Sequence, residues 1–164
     1  MEYTLLKSKY NESVRDLYKR VNDGMNVHPV FTQEILDDEL KVPSDTYNKD
    51  SKHMYFALYK DKVVGMCCYE LKEDGRYEIS TLSVDEDYRG QKIGTFLMNL
   101  VMNKGPVHLS AFCTNQEAIE FYRYFDNVEK EQIEYRHSER TNSDYHLVHF
   151  YFKSLNRKRR KVGK

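Results

Sequence analysis

The run TLSVDEDYRGQKIGTFLMNLVMNKGP, from Thr81 to Pro106, narrows the folds open to this chain more than any other stretch. It begins as a strand (Thr81-Leu82-Ser83-Val84) and crosses an acidic turn, Asp85-Glu86-Asp87-Tyr88. It then passes Arg89-Gly90-Gln91-Lys92-Ile93-Gly94-Thr95 and becomes a helix. Ile93, Phe96, Leu97, Leu100 and Val101 recur at the 3.6-residue period and predict one apolar stripe. Gly105-Pro106 supplies the stop, with Lys104 at the negative end of the dipole. A strand that runs through glycines and basic residues into a helix start is suited to hold an anion, because the first helical N–H groups lack internal acceptors. Gly90 and Gly94 permit close backbone approach, and Arg89 and Lys92 add formal charge. There is no Gly-Lys-Ser/Thr and no G-x-G-x-x-G, which disfavours nucleoside triphosphate and dinucleotide sites.

The rest of the chain places this run inside an α/β sandwich with strands of mixed direction. Residues Glu2–Lys7 form a short first strand. Asn11 caps a helix carrying Val14, Leu17, Tyr18 and Val21, and a second helix starts at Thr32 and ends at Pro43. That second helix has an acidic face of Glu34, Asp37, Asp38 and Glu39. Met54–Tyr59 and Val63–Leu71 read as a hairpin, and Asp74-Gly75 turns the chain into Tyr77–Val84. Val107–Phe112 is a short buried strand. Asn115 caps a helix with Ala118, Phe121, Tyr122 and Phe125 on one side, and Val128–His137 and Tyr145–Phe152 alternate as a final antiparallel pair.

The formal net charge is zero, but six of the basic residues lie in 157–164. Positions 1–156 then carry 20 basic against 26 acidic residues, a body that attracts cations and does not suit general nucleic-acid binding. With no apolar run long enough to span a bilayer and no secretion signal after Met1, a cytoplasmic protein without a membrane partner is expected. Cys67 and Cys68 are adjacent on a strand and point to opposite faces, and Cys113 stands apart, so all three read as reduced and buried. The six histidines show no metal-ligand spacing, so no metal is expected and core or surface roles fit them better.

The stretch Arg89-Gly90-Gln91-Lys92-Ile93-Gly94, preceded by the L-x-V-x-x-x-Y-R-G of Leu82 to Gly90, resembles the acetyl-CoA-binding motif of the GNAT acetyltransferase superfamily. One position departs, since Lys92 stands where the first motif glycine would be. A second segment, Asn115-x-x-Ala118-x-x-Phe121-Tyr122, resembles the family's later signature, although the expected Gly-Phe is Asp126-Asn127. The resemblance implies a GNAT-like fold over residues 1–155, with a mixed central sheet of about seven strands flanked by about four helices. Residues 156–164 then form a basic tail, expected to be disordered.

The resemblance also implies the site. Acetyl-CoA would be the co-substrate, contacted by the main chain at Leu82 and Val84, by Arg89, Gly90, Gln91, Lys92, Ile93, Gly94 and Thr95, and by Asn115. Tyr122 would be the general acid at the sulfur, though the same ring would serve as a core aromatic. Many relatives carry a basic Glu at the position of Ser80. Glu78, two residues earlier, is the candidate base here, or a salt-bridged strand-end carboxylate. The expected activity is N-acetyl transfer to a cationic primary amine (a polyamine, lysine side chain or basic peptide) by direct attack in a ternary complex. Two alternatives remain open, a catalytically weak acetyl-CoA-binding regulatory domain and an acetyltransferase that grips aminoacyl-tRNA with the tail. A homodimer is also left open.

Overall fold

Apolar alternation and turn residues divide the described chain into seven strands: β1 (Glu2–Leu5), β2 (Lys52–Tyr59), β3 (Lys62–Leu71), β4 (Tyr77–Val84), β5 (Val107–Phe112), β6 (Val128–Ser138) and β7 (Ser143–Phe152). Two helices, α1 (Ile93–Met102) and α2 (Gln116–Arg123), flank β5 in sequence. The computed structural model describes residues 2–5, 52–60 and 62–155. The helices expected after Asn11 and Thr32, the acidic face of the second and the basic tail lie outside the described residues. All seven strands lie in one sheet, in the order β1-β2-β3-β4-β5-β7-β6. The architecture is the expected mixed α/β sheet, and the strand bounds agree with expectation to within two residues.

The sheet consists of two antiparallel blocks. β1 to β4 form one, each strand antiparallel to the next. β5, β7 and β6 form the other, with all six residues of β5 paired to β7. The blocks meet in a single parallel contact between β4 and β5, paired only at Tyr77 with Val107 and Glu78 with His108. The Tyr77 N–H also donates to the Pro106 carbonyl at 2.8 Å. Beyond Glu78 the strands have no further paired register, so the sheet opens as a wedge.

A bulge in β4 accompanies that opening. Tyr69 of β3 faces Ile79 and Cys68 faces Thr81, which leaves Ser80 as the extra residue. A bulge bends its strand and shifts the side-chain alternation by one. Ile79, Leu82 and Val84 therefore all belong to, or pack on, the same buried cluster despite their spacing.

That cluster occupies the face under the two helices. Val107, Leu109 and Ala111 of β5 and Val148, Phe150 and Phe152 of β7 share it with Ile93, Leu97 and Val101 of α1 and Ile119 and Tyr122 of α2. Fully buried side chains such as Phe150 and Phe152 contribute about 1.5–3 kcal/mol each. His108, Ser110, His149 and Tyr151 alternate with these residues and point to the opposite face. The helical stripe is turned relative to expectation: Phe96 is 46% exposed, whereas Met98 and Met102 are fully buried. The segment after β7 accounts for the Met102 flank. The Leu155 N–H and the Ser154 hydroxyl donate to the Met102 carbonyl at 3.0 and 3.1 Å, drawing the chain over that side of α1. Cys67 and Cys68 are buried and Cys113 half-buried, and none of them forms a disulfide among the described residues.

α1 begins from a strained residue. Lys92 occupies its N-cap in the left-handed region, φ 64° and ψ 22°, and its side chain makes no capping hydrogen bond. Its carbonyl still accepts from the Phe96 N–H at 3.0 Å, so the first helical turn is closed. A left-handed non-glycine residue costs about 1–2 kcal/mol. Lys92→Gly relieves this cost, offset in part by the greater freedom of glycine in the unfolded chain. A net gain near 1 kcal/mol corresponds to a rise in Tm of about 2–4 °C for a chain of this size, measured by thermal melts. Lys92→Ala keeps the strain and should melt no higher than the parent. A lower Tm for Lys92→Gly would show that the lysine side chain contributes more than its backbone costs.

Candidate active site

The free edge of β4 is the first component of the site. The Asp85 N–H donates to the Val64 carbonyl at 2.8 Å, and this fixes the phase of the ladder between β3 and β4. In an antiparallel pair the main-chain groups of successive residues point to alternate sides. Those of Ser83 and Asp85 face β3, so those of Leu82 and Val84 face the wedge. One is already used, since Nε of Arg89 donates to the Val84 carbonyl at 3.2 Å. The Leu82 and Val84 N–H groups are thus prepositioned donors with no strand registered opposite them among the described residues.

The loop at the end of β4 is braced from within. Asp85 is buried, accepts from the Asp87 N–H at 3.0 Å and lies 3.7 Å from Nζ of Lys62. The Tyr88 N–H donates to the Asp85 carbonyl at 2.9 Å and closes a short helical turn over Glu86–Tyr88. Gly90 follows with φ 81°, a conformation that favours glycine. Gln91 and Lys92 are exposed, while Ile93 is buried in the core. Gly94 serves packing: a Cβ there would stand 3.3 Å from Cζ of Phe121 and 3.7 Å from Cγ2 of Val84. Its bare backbone lets the first turn of α1, with half-buried Thr95, lie against α2 and the end of β4. Arg89 spans the same junction, with an ion pair to Glu117 at 3.6 Å.

α2 contributes two of the expected residues. The Asn115 side chain accepts from the Ala118 N–H at 3.2 Å, so it is engaged as the helix cap. Tyr122 is buried, with its ring 5.5 Å from Phe150 and 6.5 Å from Phe152. Burial, reinforced by neighbouring Cys67, raises its phenol well above the usual tyrosine value. The hydroxyl therefore stays protonated throughout the neutral range.

Glu78 sits on the opposite face, at the apex of the wedge. Its carboxylate lies 3.6 Å from Nζ of Lys72 and 3.6 Å from Nδ1 of His108. Glu70 stands directly across on β3, and Lys72, 3.0 Å from it, balances the two acids. Beyond His108 the polar contacts continue. Nε2 of His108 is 2.7 Å from Nδ1 of His149, whose Nε2 is 2.6 Å from Glu134, itself 3.0 Å from Arg136. Arg136 and His149 together hold the Glu134 carboxyl at about 2. His108 is lowered from the ordinary histidine value, by burial first and then by His149. The sequence reading passed over His108, His149 and Glu134 because they lie on three different strands. Only the registers among β5, β7 and β6 bring them to one face, and no local spacing encodes those registers. Among the described residues no group of three or more His, Cys, Asp or Glu is arranged to hold a metal, and no helix is long and apolar enough to cross a membrane.

Comparison with known proteins identifies the arrangement. At 15% identity the chain superposes on aminoglycoside 6'-acetyltransferase type Ii with a TM-score of 0.71, covering 96% of this chain and 100% of that one. A ribosomal-protein-alanine N-acetyltransferase from Brucella melitensis is 14% identical, with a TM-score of 0.66 and coverage of 93% and 99%. A candidate streptothricin acetyltransferase from Bacillus anthracis, solved with acetyl coenzyme A, is 21% identical, with a TM-score of 0.56 and coverage of 65% and 64%. At these identities the likeness is one of fold. No curated protein matches the chain in sequence. The model of the acetyltransferase (GNAT) family matches residues 10–126, which take in β4, its loop and both described helices, and the chain belongs to that family of acyltransferases.

Proposed function

We propose that this acetyltransferase moves the acetyl group of acetyl-CoA onto a cationic primary amine by direct attack in a ternary complex. The observation that carries the reading is the wedge between β4 and β5, with the N–H groups of Leu82 and Val84 facing into it beside a glycine-containing loop at a helix start. Prepositioned N–H donors polarise a carbonyl without reorganisation at the moment of reaction. The pantetheine arm would pair with the free edge of β4 as an added strand would. The pyrophosphate would lie against the loop, contacted by residues among Arg89, Gly90, Gln91, Lys92, Ile93, Gly94 and Thr95, with Asn115 near the arm. Cationic Arg89 and Lys92 suit this role, Arg89 with part of its charge already answered by Glu117.

Tyr122 supplies a proton to the departing sulfur. Burial keeps the phenol protonated, so the proton is present whenever the C–S bond breaks. Glu78, at the apex of the wedge beside His108, is the carboxylate that holds the incoming ammonium. Cys67 is buried, and its thiol is pushed far above the ordinary range.

The acceptor class rests on charge. Positions 1–156 carry an acidic excess, and at the apex of the wedge Glu70 and Glu78 outnumber the one Lys72 between them. Such a field draws cations inward. The fold neighbours are named for acetylating an aminoglycoside and a ribosomal-protein alanine, both amines, which agrees with an amine acceptor. A rival reading, a coenzyme-binding regulatory domain without turnover, draws its support from Ser80, which occupies the position where relatives carry a basic Glu. Saturable acetyl-CoA binding with no thiol release on any amine would favour that rival.

Two experiments test the reading. Thiol release is measured with spermidine, a basic peptide, an acidic peptide and an aminoglycoside at low and moderate salt. The cationic acceptors should give the higher kcat/KM, and the advantage should shrink as salt screens the attraction. A preference for the acidic peptide contradicts the assignment. Tyr122→Phe keeps the ring against Phe150 and Phe152 and removes only the hydroxyl. Acetyl-CoA affinity should survive while kcat falls about 10²-fold. Parental turnover in this variant would remove Tyr122 from the chemistry.

A further inference from the structure

We infer that His108 is the proton acceptor for the incoming amine, and that His149 and Glu134 are positioning residues that hold its imidazole in the tautomer able to do so. The inference deepens the acetyl-transfer reading and rests on it. Its basis is a chain of contacts crossing four strands: Glu78 of β4, His108 of β5, His149 of β7 and Glu134 of β6, with separations of 3.6, 2.7 and 2.6 Å.

We assign the protons along this chain with both histidines neutral. Glu134 is held ionised by Arg136 and His149 and can only accept. Nε2 of His149 must therefore carry a hydrogen and donate to it. Neutral His149 is left with a lone pair on Nδ1, which accepts from Nε2–H of His108. Neutral His108 then has its own lone pair on Nδ1, the nitrogen that faces Glu78 at the apex of the wedge. A nitrogen placed between Nδ1 and the Glu78 carboxylate could hydrogen-bond to both, because the two are only 3.6 Å apart. The ring of His108 is also held in plane: it lies edge to edge with His149, the two planes 12° apart, and packs against Tyr151 at 4.7 Å.

The placement suits the acceptor side. Val107, Leu109 and Ala111 face the helices, so His108 faces away from the coenzyme loop. Coenzyme and amine would thus approach the wedge from opposite faces. The acceptor ammonium gives one proton to Nδ1 of His108 through water, which spans the stretch of β4 between Glu78 and Leu82, and the freed lone pair attacks the thioester carbonyl. The N–C bond forms and the C–S bond breaks as Tyr122 gives its proton to the sulfur, and the second nitrogen proton, passed through water, restores the Tyr122 phenol. His108 returns its proton to solvent, which is the single proton released per acetyl group transferred.

The groups around His108 set the pH range in which this works. Burial and His149 oppose its protonation, as does Arg76, whereas Glu78 and Asp74 favour it; the net effect is a lowered value, and Tyr151 presents a neutral ring. The base form therefore persists below the pH at which an ordinary histidine would be half charged. The acid limb of kcat/KM should fall below pH 6.5, the reference histidine value.

The test uses the full-length enzyme, His108→Gln and Glu134→Gln. In Glu134→Gln the amide can turn its NH₂ toward His149, reversing both tautomers and leaving a hydrogen on Nδ1 of His108. Each variant should keep its acetyl-CoA affinity and lose about tenfold or more in kcat at neutral pH, with partial recovery at high pH as free amine becomes abundant. Ring ¹⁵N spectra of the parent should show unprotonated Nδ1 and protonated Nε2 at both histidines, a readout that needs no turnover. Parental kcat and an unmoved acid limb in both variants, or the opposite tautomers in the spectra, would overturn the role of His108. Absence of thiol release from the parent with every amine would instead overturn the acetyl-transfer reading on which this one stands.

Discussion

Everything at the site depends on a parallel strand contact that stops after two residue pairs. β4 and β5 are joined at Tyr77–Val107 and Glu78–His108 and nowhere further along their length. A sheet closed by full pairing would spend the N–H groups of Leu82 and Val84 on a neighbouring strand. Here no strand among the described residues takes them up, because the bulge at Ser80 bends β4 away from β5. Unpaired main-chain groups inside a domain are costly, of order 1–3 kcal/mol each when buried without a partner. Their persistence beside a braced loop is therefore a reason to expect a ligand that completes the ladder.

The two faces of the wedge carry different chemistry. The helix side is apolar and aromatic, and it holds the loop, Tyr122 and the glycine contact between α1 and α2. The other side carries the charged series from Lys72 through Glu78, His108 and His149 to Glu134 and Arg136. The methyl and sulfur of an acetyl thioester are weakly polar, whereas an ammonium is best met by carboxylates. The division of the sheet into an apolar face and a charged face follows from strand alternation, with the bulge setting which residues of β4 face which way.

Much of this was legible in the sequence, for physical reasons that differ by element. β4, its loop and α1 could be read because strand, glycines, basic residues and apolar period all fall within one short stretch. The left-handed backbone at Lys92 was foreseeable as a question, since a glycine is expected there, and the structure answers it with φ 64°. Phe96 was misplaced because helical periodicity fixes a stripe's spacing and leaves its rotation to tertiary contacts, here the segment at Ser154 and Leu155 folding over Met102. Gly94 was read as room for an anion, and the structure adds a second reason, its contact with Phe121. The histidine chain was invisible for a different reason. His108, His149 and Glu134 become neighbours only through non-local register, and each alone reads as an ordinary strand residue.

The central claim is that the wedge edge of β4 receives the coenzyme. Amide hydrogen exchange resolved by residue tests it most directly, with and without saturating acetyl-CoA. The account predicts that exchange at Leu82 and Val84 slows on binding, while Ser83 and Asp85, whose N–H groups face β3, change little. Saturable acetyl-CoA binding that leaves Leu82 and Val84 exchanging as in the free protein would contradict it.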